Sequence, residues 1–367
     1  MVGKQDMKTT LKPWLIVLLA HVVYLSFILA RYNGDPLAFA KIGTTDCYGE
    51  DAGYDGQFTY FIALDPNPVT VTSLLDVPAY RYQRILLPLL ARLLAFGQPA
   101  LIPWTIVLIN LIAQTAGTAL VEKLLLDLGV SRWYALVYGL WPGLAVSVRT
   151  DIAEPLSYAL IAAAYLADRR NKVWRAALLF GLAVFAKETA LIFVAAQLAF
   201  ALFARDARRL LSLATLSVLS FVVWQIALWL WFGSIGLGSG GCKGTPFELI
   251  PFMGVWRILP LNPAVFAIFL LFLGPWVMFP AVWGIIASAR EVLRRNWHPY
   301  VWALGANAII IPFTPFSTFR EPVAMLRFCC GLVLATLLFG GLIRTASRRV
   351  LNYSWFWLAM LAFLIKD

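Results

Sequence analysis

Apolar residues run along this chain in blocks that approach the roughly twenty residues needed to cross a bilayer, and short polar breaks separate the blocks. The pattern predicts helices near 14–31, 101–121, 133–148, 155–167, 174–186, 189–204, 210–232, 263–288, 300–316, 323–343 and 350–365. Several blocks are shorter than a full crossing, and the breaks at 148–155 and 186–189 are only a few residues long. One apolar stretch differs from the rest. Arg84 to Phe96, RILLPLLARLLAF, carries two arginines on a short core and reads as an amphipathic helix lying in the membrane interface. The expected fold is an all-α polytopic membrane protein with about eleven transmembrane helices. It forms a single domain over 1–367, with a long first loop, 32–100, that contains interfacial helices.

Composition supports this and redirects the charge. With 61% apolar and 13% charged residues, the chain lies far from the usage of a soluble domain. A net charge of +11 would fit nucleic acid in a soluble protein, but on the short loops of a membrane protein it encodes orientation. A cytoplasmic N-terminus makes every inner connection basic: Lys123 and Arg132; Arg169, Arg170, Lys172 and Arg175; Arg205, Arg208 and Arg209; Arg290, Arg294 and Arg295; Arg344, Arg348 and Arg349. Lys4, Lys8 and Lys12 precede the first apolar run, which ends in ARYNGDP with no small-residue cleavage site, so it reads as a retained span. The expected location is a membrane, with the N-terminus on the cytoplasmic side.

Acids gather on the other side. Asp46 to Pro66, DCYGEDAGYDGQFTYFIALDP, holds Asp46, Glu50, Asp51, Asp55 and Asp65 beside a spanning helix. Short breaks on the same side add Arg149, Asp151 and Glu154, then Lys187 and Glu188, then Arg320, Glu321 and Arg327. Acids contribute little to topology, so orientation does not explain them. A solvated loop and snorkelling side chains are the plain alternatives. Together, however, carboxylates that accept a proton and cations that hold a phosphate are the two halves of a transferase acting on a phosphorylated lipid.

Other residue types narrow the chemistry. The two histidines, His21 in the first span and His298 on an inner loop, suggest neither a metal site nor a triad. No cofactor is called for, although Asp51, Asp55 and Glu154 are residue types that bind divalent ions. Gly233 to Gly244, GSIGLGSGGCKG, follows a helix rather than a strand and reads as a mobile outer loop over the site. Cys47 and Cys242 both fall on outer loops, where a periplasm permits a disulfide.

The combination of GYDGQFTYFIALDP at Gly53 to Pro66, YRYQRILLPLLARLLAFG at Tyr80 to Gly97, TDIAEPLSYAL at Thr150 to Leu160 and AKETALI at Ala186 to Ile192 resembles the GT-C superfamily of integral membrane glycosyltransferases, in a mannosyltransferase-like bacterial branch. The resemblance covers the first half by motif and the second half by architecture. It implies inverting transfer of one sugar from a polyprenyl-phosphate-linked donor to an acceptor glycan, lipid or protein on the extracytoplasmic face. It also implies that an acid of the first outer loop is the general base. Asp55 occupies the matching position, while Glu50 and Asp51 keep that assignment open. Arg81, Arg84, Lys187, Arg320 and Arg327 are the candidates for the donor phosphate, and Tyr54, Gln57, Asp151, Glu154 and Glu188 for support or acceptor contact. Two competing classes remain. A transporter would place its charges near span centres and show repeat symmetry, and a non-catalytic subunit would use the polar breaks as interface contacts.

Overall fold

Apolar surroundings force a backbone to satisfy its own hydrogen bonds, so the apolar blocks fold as helices. Prolines set where many of them start. Pro13, Pro103, Pro142, Pro155, Pro263, Pro299 and Pro322 lie in first turns, where the missing N–H has no intrahelical use. The structure is a computed structural model that describes residues 11–44, 53–343 and 347–366. Among the described residues every regular helix or strand element is helical.

Among the described residues four helices are long and apolar enough to cross a membrane: Pro13–Arg31, Pro99–Asp127, Ala207–Phe232 and Pro263–Leu293. Pro322–Phe328 and Cys330–Leu342, bent by 42° at their junction, make a fifth if taken as one span. The long helices leave apolar side chains such as Leu19, Val23, Phe27, Leu230 and Leu271 uncovered, as a lipid-facing surface requires. The chain is thus a helical membrane protein.

The expected eleven crossings are not matched by length. Val173–Ala186, with 14 residues, rises roughly 21 Å against a hydrocarbon thickness of about 30 Å. Glu188–Phe203 and Pro299–Phe313 are likewise apolar but short. The block at 133–148 is not one helix. Pro142 interrupts it, leaving Arg132–Tyr134, Ala135–Gly139 and Pro142–Arg149, the last buried at every residue. The block at 350–365 falls across a short α-helix, Ser347–Ser354, and a 3₁₀ segment, Trp355–Lys366. Leu86–Leu94 forms the short helix expected within 84–96. It buries Leu87, Pro88 and Ala91 and exposes Leu89, Leu93 and Leu94.

The main core joins Ala135–Leu144, the Glu154–Arg169 and Val173–Ala186 helices, and the helices from Pro299 to Leu342. At its centre Tyr165 meets Phe180, Phe193 and Tyr300 edge-on, at ring separations of 5.4, 6.0 and 5.3 Å. The two ends of the bundle differ in charge. One end holds the basic connections, with Arg209 on Asp168 at 2.7 Å and Arg132 on Glu122 at 3.6 Å. The other end holds Asp55 and its partners.

Candidate functional site

The site is built where three segments approach unusually closely. Tyr54 caps the Asp55–Leu64 helix and donates its backbone N–H to Lys41 O at 3.0 Å, while Gln57 Oε1 accepts from Gly43 N at 3.1 Å. These bonds fix the helix start. At Gly56 a Cβ would lie 2.1 Å from Thr150 O, so only glycine lets this start rest on the turn that leads into Glu154. On the far side, a Cβ at Gly143 would lie 2.2 Å from Leu326 O, and Trp141 Nε1 donates to that same carbonyl at 2.9 Å. The helix bearing Arg327 is thereby held against the Pro142–Arg149 helix, whose C-terminal turn leads into Glu154.

Asp55, in the first turn of its helix, lies between two guanidinium groups. Arg81 Nη1 donates to Oδ1 at 2.8 Å and Arg327 Nη2 to Oδ2 at 3.0 Å. Burial alone would raise the Asp55 carboxyl, but Arg81 and Arg327 outweigh it and hold it well below the usual carboxylate range. Neither arginine is loose. Arg81 grips Asp76 through Nε at 2.6 Å and Nη2 at 2.8 Å, and its guanidinium lies 4.1 Å from the centre of the Phe58 ring. Arg327 donates from Nε to Glu154 Oε1 at 3.0 Å and from Nη1 to Tyr54 Oη at 3.0 Å. Lys187 Nζ meets the same Glu154 oxygen at 3.0 Å, and Glu154 Oε2 is buried with no hydrogen-bond partner. Tyr54, whose phenol is pushed up by burial, donates its O–H in a hydrogen bond to Glu321 Oε1 at 3.2 Å. Arg84 and Glu188 form a two-pronged pair at 2.7 and 2.6 Å, stacked beside Tyr80.

Asp55 borders two spaces. One is a cavity of about 380 Å³ lined by Tyr54, Gln57, Phe58, Asp76, Tyr80 and Arg81, with Thr44, Ser317, Thr318, Arg320 and Glu321 toward its rim and Cys242, Lys243 and Gly244 across it. The other is a small crevice between Phe58, Thr59, Ile62, Pro88, Ile152 and Ala153, with Arg81 and Arg84 in its wall. Polar and aromatic groups face the first, and the second mixes Asp55, Arg81 and Arg84 with apolar side chains.

Most of the expected site residues converge here. Asp55, Arg81, Arg327, Tyr54, Glu154 and Lys187 form one network, and Arg84 with Glu188 adjoins it through the crevice. Arg320 stands apart on the exposed rim, 5.6 Å from the centre of the Phe316 ring. Gln57 is buried and spends its carbonyl on Gly43, which makes it a brace for the loop. Asp151 is fully buried with φ at 54° and neither carboxylate oxygen hydrogen-bonded, so the structure does not bring it into the network. Glu50 and Asp51 lie outside the described residues, as does Cys47. Cys242 is disulfide-bonded, whereas Cys329 and Cys330 are buried free thiols. Among the described residues no three His, Cys, Asp or Glu side chains converge as a metal-holding group, and Arg327 occupies the space between Asp55 and Glu154.

Sequence reasoning missed Asp76 and Tyr80 as parts of the site. Asp76 also accepts the backbone N–H of Val77 at 2.7 Å and of Cys242 at 3.2 Å, so it ties the glycine-rich loop to Arg81. An acid five residues before an arginine, ahead of the helix that opens at Pro78, was the available signal. No family model, curated protein or solved structure matches the chain.

Proposed function

We propose that this protein is a GT-C-like glycosyltransferase, with about eleven membrane segments in the family's sense, that transfers a sugar from a polyprenyl-phosphate-linked donor to an acceptor on the extracytoplasmic face of a bacterial inner membrane. The observation that carries the reading is a carboxylate clamped between two arginines where a polar cavity meets a small crevice that places Arg81 and Arg84 beside Ile62, Pro88 and Ile152. An acceptor hydroxyl in the cavity attacks the anomeric carbon and loses its proton to Asp55. The bond from that carbon to the phosphate oxygen breaks on the opposite face, and the leaving phosphate takes the electron pair. Its charge is met by guanidinium groups, so no general acid is needed. Arg81 and Arg84, which border the crevice, are the first contacts for a phosphate whose lipid approaches from that side, and Arg327 completes the clamp.

A carboxylate held by two guanidiniums is a poor base, and the donor itself resolves this. A phosphate that engages Arg81 or Arg327 withdraws positive charge from Asp55, raising its affinity for a proton when an acceptor is present. Basicity is then coupled to donor binding. The test uses purified protein in liposomes with a panel of polyprenyl-phosphate sugars. Asp55→Asn should retain donor binding while transfer falls by about 10²–10⁴-fold, the usual contribution of a general base. Transfer that survives Asp55→Asn and is lost in Asp51→Asn would move the base to Asp51.

One observation favours a non-catalytic reading. Each of the four cations of this network, Arg81, Arg84, Lys187 and Arg327, already has a carboxylate partner, as a purely structural network would. Under that reading Asp55→Asn lowers stability, and no donor in the panel binds.

A further inference from the structure

The segment between the spans Ala207–Phe232 and Pro263–Leu293 has an unusual surface. Phe247 is 51% exposed, Leu249 93%, Ile250 61%, Trp256 50% and Leu261 72%. Leu249, Ile250 and Leu261 leave most of their apolar surface uncovered by the rest of the chain. Both of its ends continue directly into membrane-length helices, so it lies at the level where those helices leave the bilayer. It is also tied down in the middle. Glu248 N donates to Phe313 O at 2.9 Å, and Phe252 N donates to Pro312 O, at the end of the apolar Pro299–Phe313 run. Trp256 lies against Phe266 in the first turn of the following span, with ring centres 5.1 Å apart. The segment therefore cannot rise away from the membrane plane.

Its depth is bounded from the other side as well. Residues 241–250 have no regular helix, and irregular backbone facing lipid does not enter the hydrocarbon core. Side chains can dip into the acyl boundary while the backbone remains among headgroups, the position that interfacial anchors take. Cys242, Lys243 and Gly244 on the same segment line the 380 Å³ cavity, and Thr245 exchanges hydrogen bonds with Ser317, which also lines it, at 3.1 and 3.0 Å.

We propose that residues 245–261 are a membrane-docking surface, in which Phe247, Leu249 and Ile250 insert into the lipid surface on the side where the cavity opens and hold its mouth at headgroup depth. The occupant of this face is the phospholipid surface. A consequence is that a ligand of the cavity is drawn from the plane of the bilayer, whichever reaction follows. The inference does not depend on the glycosyltransferase reading.

Full-length protein carrying Leu249→Cys or, separately, Ile250→Cys is labelled with an environment-sensitive fluorophore and reconstituted in phosphatidylcholine vesicles, with Arg320→Cys as the cavity-rim comparison. Labels at 249 and 250 should shift their emission to the blue on moving from detergent-free buffer standards to vesicles. Acyl-chain spin-labelled lipid should quench them strongly, and aqueous iodide only weakly. The label at 320 should show the reverse. Equal iodide quenching at all three positions would overturn the proposal. So would protection from iodide without quenching by spin-labelled lipid, because protein rather than lipid would then cover the face.

Discussion

Replacing Asp76 by asparagine isolates the charge that holds Arg81 without changing the shape of the site. Asp76 and Arg81 side chains are 1% and 7% exposed, so water screens their pairing little. The carboxylate receives four donors: Arg81 Nε and Nη2, Val77 N and Cys242 N. Asparagine keeps one oxygen for part of that set and turns an NH₂ toward the rest. Breaking a buried pair by removing one partner costs about 3–5 kcal/mol, and the retained acceptor places Asp76→Asn near the lower end. The effect should depend on pH in a defined direction. Burial raises the Asp76 carboxyl, but Arg81 and the two backbone donors outweigh it and leave it below its ordinary value. Its contribution is therefore present above about pH 4, the unfolded value, and is lost as pH falls through the folded value. Equilibrium unfolding by dodecyl sulfate in phospholipid mixed micelles measures both points. Arg81→Gln alone, Asp76→Asn alone and the pair together should show a coupling of about 2 kcal/mol or more at pH 7, shrinking toward pH 3. Additive losses at pH 7, or a loss below about 0.5 kcal/mol for Asp76→Asn, would refute the assignment of Asp76 as the anchor of Arg81.

Gly56→Ala should destabilise by about 1–3 kcal/mol in the same titration, because a methyl group 2.1 Å from Thr150 O forces the helix start away from the turn. A loss no greater than that of a surface Gly→Ala change would count against the close approach. Reduction of the Cys242 disulfide should lower stability by about 2–4 kcal/mol, and peptide mapping under non-reducing conditions should find Cys47 as its partner. Recovery of Cys242 joined to any other cysteine would refute that pairing. An Asn171→Cys variant should react with a membrane-impermeant maleimide only after permeabilisation if the basic connections face the cytoplasm, and labelling in intact cells would reverse the orientation.

Helical class was readable because burial in lipid leaves a simple record: a block of apolar residues, a proline near its start, a polar break at its end. Crossing number was not. The block at 133–148 looks like a span by hydropathy, yet Pro142–Arg149 is apolar because protein surrounds it on every side, and hydropathy does not separate protein-facing from lipid-facing residues. The bend at Cys329 and the 3₁₀ run at Trp355–Lys366 are also products of packing, with Trp357 buried against Trp141 at a ring separation of 5.9 Å.

The candidate site was legible in its ingredients and illegible in its pairing. Asp55, Arg81, Glu154, Lys187 and Arg327 stood out as charges beside apolar blocks, but which acid meets which cation is set by two glycine contacts, Gly56 on Thr150 and Gly143 on Leu326, that carry no charge signal. Pairing changes what the cluster means. Four acids, Asp55, Asp76, Glu154 and Glu188, meet four cations, Arg81, Arg84, Lys187 and Arg327, in mutual ion pairs. A cluster balanced in this way has no spare positive charge to attract an anion from a distance, so under the proposed function a phosphate would compete with a carboxylate at short range. Asp76 and Glu188 each hold their arginine through two bonds and would yield last. Asp55 holds each of its arginines through one bond and keeps 27% of its side chain exposed to the cavity, so under the proposed transfer it is the carboxylate that gives way and is left with its lone pairs open beside the acceptor.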